Sequence, residues 1–265
     1  MTRREIERRF RRARLSYGHG THNAREEAAW LLSSVKSGQR LEALVERRIR
    51  ERIPLAYLLK EAWLGKQRFY IDERAIVPRS FIAELLRDRL RPWIHRPVKR
   101  ALDLCTGSGC LAVLLARAFP RARVDASDIS GGALEVAKEN VHRCRLGRRV
   151  RLVKSDLFKR MKGRRYDLIV ANPPYVTTAA MKRLPKEYRH EPHSALAAGK
   201  DGLKIVRRIL REARNHLTPD GLLVCEVGAA RRALERAYLK LSFVWPDTSE
   251  PQSCVFVLHR EDLPR

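Results

Sequence analysis

The chain has 265 residues, with 56 Lys and Arg against 30 Asp and Glu, for a formal charge of +26. Hydrophobic residues make up 44% of it, enough for a sizeable core, so the charge does not imply disorder. The longest unbroken apolar run, Cys110 to Ala116, is seven residues, far short of the roughly 20 that a membrane helix needs.

The first fourteen residues carry seven arginines. No apolar stretch follows them, which speaks against a secretory signal, and Glu5 and Glu7 interrupt the arginines at helical spacing, so an exposed amphipathic helix is expected rather than a transit peptide. Ala24 to Val35 and Gln39 to Arg52 place apolar residues at three- and four-residue steps and predict two further helices, with Pro54 ending the region. From Trp63 to Val77 the pattern turns aromatic and β-branched around Gly65-Lys66 and Asp72-Glu73, predicting a hairpin. A helix over Phe81 to Leu90 leads into the prolines Pro92 and Pro97. These signals divide the chain into an N-terminal helical substrate-docking domain (1–60), a hairpin and linker helix (61–98) and a larger domain (99–265).

In the larger domain, apolar strands are predicted at Arg100–Leu104, Arg123–Ala126, Arg151–Val153, Tyr166–Ala171 and Leu222–Val227. Helices are predicted between them at Leu111–Phe119, Ala133–Arg145 and Leu203–Leu217. Alternation of this kind builds a parallel sheet covered on both faces. Ser242–Trp245 and Cys254–His259 follow with too short a connection for a parallel crossover, so an antiparallel hairpin closes the edge. The expected fold is α/β, a Rossmann-like sheet of seven strands with the last one antiparallel. The five cysteines form no CxxC pair, and three lie in apolar runs, which reads as a reducing, cytoplasmic compartment with no metal site.

In an open parallel sheet, ligands bind beyond the carboxyl ends of the strands. The first strand of the large domain runs through Asp103 into Cys105-Thr106-Gly107-Ser108-Gly109, where the glycines permit a sharp turn and close approach to a ligand. Asp128 follows the next strand, where an acid that accepts from both ribose hydroxyls is expected. An adenosine cofactor without a 2′-phosphate follows, NAD or S-adenosylmethionine. Asp103 beside the loop favours the second, because its charge suits a cationic amino-acid moiety better than a pyrophosphate. After the third strand, Asp156 can accept from an adenine amino group while Leu157 packs on the ring.

The fourth strand runs straight into Asn172-Pro173-Pro174-Tyr175. A planar amide or aromatic amine is a poor nucleophile because its nitrogen lone pair is delocalised. The Asn172 side-chain oxygen and the Pro173 carbonyl can accept both of its N–H bonds, holding the lone pair toward a methyl group and favouring the positive charge that develops on nitrogen. The prolines fix the turn, and Tyr175 packs on the planar group. Positioning of this kind supplies roughly 7–11 kcal/mol of barrier lowering.

These two blocks resemble those of the protein-(glutamine amide-nitrogen) methyltransferases. Glu187-Tyr188-Arg189-His190-Glu191-Pro192, Asp201-Gly202-Leu203, Cys225-Glu226-Val227-Gly228 and Val77-Pro78-Arg79-Ser80 are similar to the branch that modifies large-subunit ribosomal protein three. The resemblance implies a class I methyltransferase using S-adenosylmethionine. The implied cofactor set is Asp103, Cys105, Thr106, Gly107, Ser108, Gly109, Asp128, Ile129, Asp156, Leu157 and Asn172. The implied substrate set is Asn172, Pro173, Pro174 and Tyr175 with Arg79 and Glu191. Cys105 stands where many relatives outside the branch have glycine. Glu191 either meets the substrate or pairs with Arg189, His190 either takes part in catalysis or, as favoured, orders the loop Met181 to Pro192, and Glu226 is either near the cofactor or solvated.

The same asparagine-proline loop suits adenine amino groups in DNA, and glutamine of a peptide chain release factor is a third substrate with the same chemistry. An RNA-binding module without activity is a further class, which leaves Asn172 unexplained. A basic enzyme is repelled by a basic ribosomal protein, so the charge points to ribosomal RNA in an assembly intermediate, or to a compositional bias toward arginine.

Overall fold

In the computed structural model, which describes residues 1–35, 38–249 and 254–264, the chain starts as predicted, with helices. A capping box between Thr2 and Glu5 opens α1 (Arg3–Arg12), and Asn23 caps α2 (Ala24–Ser34). With α3 (Gln39–Glu51) they bury Ile6, Phe10, Leu31, Leu41 and Val45 in one small core. The chain does not stop being helical at Pro54, because α4 (Leu55–Leu59) starts directly after it. Proline is suited to that position: its preset φ fits a first turn, whose N–H groups have no partner anyway.

The hairpin pairs β1 (Ala62–Leu64) with β2 (Gln67–Phe69) around the predicted Gly65-Lys66 turn. It is shorter than expected, since no strand continues to Val77. There the Asp72 carboxylate accepts from the Arg74 N–H at 3.1 Å and bends the chain. Ile71, Ala75 and Val77 are buried instead with Tyr57, Ala133 and Val136. Helix α5 (Ile82–Arg87) then joins the core on one face of the main sheet.

The sheet is built by β3 (Arg100–Leu104), α6 (Cys110–Ala118), β4 (Arg123–Asp128), α7 (Gly131–Arg143), β5 (Val150–Lys154), β6 (Tyr166–Ala171), α8 (Thr178–Met181), α9 (Lys204–Ala213), β7 (Leu217–Glu226), α10 (Arg231–Ala237) and β8 (Val255–His259). Strand order is β5-β4-β3-β6-β7-β8, parallel except for β8. Alternation within the apolar strands divides two cores. Leu168 and Val170 of β6 face one, while Ile169 and Ala171 face the other. Burial on both faces explains why these strands read as nearly continuous apolar runs.

Among the described residues the sheet has six strands, not seven. Ser242–Trp245 contributes a single bridge, Val244 to Val257, because Pro246 has no N–H with which to extend a ladder. The segment is held by ring packing: Phe243 and Trp245 lie 5.1 and 5.9 Å from Phe256, and the Arg231 guanidinium sits 4.3 Å over Trp245. The short turn predicted between it and β8 falls on residues 250–253, which lie outside the described residues. No helix is long and apolar enough to cross a membrane, and no cluster of three potential metal ligands occurs among the described residues.

Candidate active site

Strand order reverses between β3 and β6, so the loops leaving these two strands diverge to opposite faces and open a crevice. A cavity of about 630 Å³ lies there, within the ordinary size range of ligand pockets. Its wall brings together Cys105, Thr106, Gly107, Ser108, Asp128, Ile129, Asp156, Leu157, Arg79 and all four residues of Asn172 to Tyr175. Three expected residues lie outside the wall: Asp103, Gly109 and Glu191.

Asp103 is fully buried and accepts from the Thr106 hydroxyl. Burial pushes its carboxyl up to about 7, and its bond to Thr106 braces the loop from behind. At Gly109 a Cβ would come within 2.9 Å of Ala137 Cβ on α7, so its smallness serves helix packing. Gly107 faces the cavity, and its N–H donates to Asp128 Oδ2 at 2.9 Å; Ser130 N–H donates to Oδ1 at 2.8 Å. Two backbone donors fix the carboxylate plane while leaving acceptor sites open to the crevice. Burial raises the Asp128 carboxyl. Asp156 is lowered, held by Lys159 and Arg208, each at 2.9 Å. Cys105 and Leu157 both carry positive φ, 57° and 49°, a conformation that side chains adopt at a cost and that concentrates at functional sites. That geometry explains why glycine suits position 105.

The second wall is built around Asn172. Its Nδ2 donates to the backbone carbonyl of Arg79 at 3.0 Å, which leaves Oδ1 as an acceptor with no protein donor among the described residues. Behind it, Gly202 packs against the Tyr175 backbone and Gly228 against its ring, so closely that a Cβ at either would overlap those atoms. The two glycines explain why the Asp201-Gly202-Leu203 and Cys225 to Gly228 blocks accompany the loop. Glu226, at the end of β7, is buried rather than solvated. It accepts from Ser80 Oγ at 2.6 Å, Phe81 N–H at 3.0 Å and Tyr175 Oη at 3.4 Å, clamping residues 80–81 to the loop. Burial pushes its carboxyl up to about 7.

Arg79 contributes more than its carbonyl. Its guanidinium forms a bidentate pair with Glu191, 2.8 and 2.6 Å, and lies 5.3 Å over the Tyr188 ring. Glu191 therefore pairs with Arg79 rather than Arg189, and it also accepts from Val77 N–H at 3.0 Å. Burial opposes its ionisation, but His19, 3.7 Å away, and Arg79 outweigh it and hold the carboxyl at about 2. His190 ties its loop to the helical region through the Glu51 carbonyl at 2.9 Å. Next to it, Arg48 is 1% exposed and joins Glu27 at 2.6 Å to Glu187 at 3.5 Å. Ser80 and Tyr188 carry no local signal beyond their place within the recognised blocks, and His19 carries none at all.

The family model of the methyltransferase small domain matches residues 83–189. The ribosomal protein uL3 glutamine methyltransferase of Burkholderia pseudomallei is 47% identical over 97% of this chain and 92% of its own. That of Neisseria meningitidis is 49% identical over 96% and 90%. A methyltransferase from Pyrococcus furiosus, 18% identical, superposes with a TM-score of 0.53 over 74% of this chain and 90% of its own, a likeness of fold alone.

Proposed function

This chain belongs to the ribosomal protein uL3 glutamine methyltransferase family, and we propose that it transfers the methyl group of S-adenosylmethionine to the side-chain amide nitrogen of a glutamine in uL3. The observation that carries this reading is the fixed orientation of Asn172. With its nitrogen bound to the Arg79 carbonyl, its oxygen is the atom left to accept from an incoming carboxamide.

The residues present fit the cofactor. Asp128 would accept from the two ribose hydroxyls, Ile129 and Leu157 would enclose the base, and Asp156 would accept from its amino group. Gly107 lets the backbone approach the methionine end. When bound, S-adenosylmethionine supplies an electrophilic methyl on a sulfonium. The chain's own residues do the rest. Asn172 Oδ1 and the Pro173 carbonyl accept the two N–H bonds of the glutamine and aim its lone pair. Tyr175 supports the plane of the amide. Glu226 holds Tyr175, and Arg79, itself held by Glu191, holds Asn172. No strong base is needed, because the nitrogen loses its proton to water readily once alkylated.

Residues 1–60 serve as the docking region for the substrate protein. Their ion pairs to the 186–191 loop couple docking to the cavity. The setting is the cytoplasm, with the substrate met in a ribosome assembly intermediate that includes ribosomal RNA. The test is labelled-methyl transfer to uL3, a release factor and DNA in parallel, with mass mapping of the product. Label on a single glutamine of uL3 is expected; label confined to the release factor or to adenine overturns the assignment.

A further inference from the structure

A second hollow lies at the far end of the sheet from the cavity. It is a groove of about 1420 Å³, formed by the starts of β3, β4 and β6, the edge strand β5 and the second half of α7. A strand of six residues spans about 20 Å, which separates the groove from the cavity by the length of the sheet. Eight cationic side chains line it against three acidic ones.

Some of that charge is committed to the fold. Arg149 donates to the carbonyls of Ala116, Phe119 and Ala122, while Arg151 and Arg164 pair with Asp125. Arg123, Arg145 and Arg148 are different. They are exposed and have no ion pair among the described residues. They come from three separate segments: the first residue of β4, the chain just after α7 and the turn before β5. Three uncommitted guanidinium groups converging on one concavity repel each other unless an anion lies between them. A cleft lined by one sign of charge also concentrates the field that attracts such an anion.

We propose that this groove grips the phosphate backbone of structured RNA in the particle that presents uL3, an inference that rests on the substrate reading above. Each planar guanidinium can hold a phosphate through two N–H bonds. None of the exposed large apolar side chains (Trp63, Ile129, Leu239, Val244) lines the groove, so it has no anchors for an anionic lipid surface, which amphipathic membrane binding requires. The RNA contact is placed on the sheet edge rather than on the arginine-rich α1, where the hollow beside Arg8 and Arg12 is smaller, about 400 Å³, includes Glu5, and has its Arg9 already paired with Glu42 and Glu46.

The test compares the intact protein with the triple variants R123Q/R145Q/R148Q in the groove and R4Q/R8Q/R12Q on α1, using a fluorescent RNA hairpin as probe over a salt series. The groove variant should bind roughly 10- to 30-fold more weakly, with a salt slope shallower by about 2 to 3, as expected for three lost phosphate contacts. The α1 variant should stay close to the parent. The groove variant should methylate isolated uL3 at the parent rate, and both variants should melt at the parent temperature. A groove variant that binds RNA as the parent does, an equal loss in the α1 variant, or tighter binding of the parent to anionic phospholipid vesicles than to RNA overturns the proposal. If the groove variant loses RNA while even the parent fails to methylate uL3, the substrate reading fails and the groove stands.

Discussion

The two ends of the sheet use charge in opposite ways. At the carboxyl end, Asp103, Glu191 and Glu226 are buried with bound partners. At the amino end, Arg123, Arg145 and Arg148 stand in solvent. The first arrangement fixes atoms, because a buried carboxylate with several donors has one low-energy pose. The second fixes nothing, but attracts reversibly and is screened by salt. A single chain thus separates a stiff chemical centre from a soft electrostatic grip by placing them at opposite ends of the same strands.

Substitutions test this division. The largest expected effect is that of Asn172→Ala, which should lower turnover roughly 100- to 1,000-fold, the usual cost of losing one transition-state hydrogen bond. Cofactor affinity by calorimetry and RNA retention should stay near the parent values; a fall in both would break the separation. Next comes Gly202→Ala, which forces a Cβ into the Tyr175 backbone at positive φ. It should cost about 3 kcal/mol and lower Tm by roughly 5–10 °C, with turnover falling in step. Unchanged melting would mean that the loop is not held as tightly as the packing implies. Asp128→Ala should weaken cofactor binding roughly 10- to 100-fold through two lost charge-assisted bonds, with little change in turnover at saturation.

The smallest effect is on the pH dependence of stability. Glu226 is raised from an ordinary 4.5 to about 7, so the folded state holds a proton that the unfolded chain releases. Its contribution is full below pH 4.5 and is lost as pH rises toward 7. Asp103, also raised to about 7, acts in the same direction. Glu191 is lowered to about 2 and acts in the opposite one, adding stability above pH 4.5 that is lost as pH falls toward 2. Glu226→Gln should therefore flatten, without abolishing, the decline in Tm between about pH 4.5 and 7. An unaltered decline would show that Glu226 does not titrate there.

Much of this was legible in the sequence where the physics is local. Strands buried on both faces must be apolar throughout, so β3 and β6 were read with their observed bounds. The Asn172 loop was legible because few residue combinations can hold both N–H bonds of an amide. The bracing was not. Arg79 and Glu191 are 112 residues apart, and Ser80 and Glu226 are 146 apart, so no window contains either pair. Asp103 shows a related limit: being next to the glycine loop in sequence does not reveal that its carboxyl accepts from the Thr106 hydroxyl. At Trp245, aromatic composition signalled a strand while Pro246 prevented one.

The ion cluster of Glu27, Arg48 and Glu187 has a consequence for how the protein can be divided. Shortening the chain to its sheet would strip Glu187 of Arg48 and Arg52 and leave a carboxylate stranded at the rim of the crevice. Those ion pairs, with the Ser16 N–H that donates to the same carboxylate at 3.0 Å, are what seat the 186–191 loop. The helical unit is therefore no detachable adaptor: any lineage that exchanged it for another docking module would have to rebuild the rim in the same step.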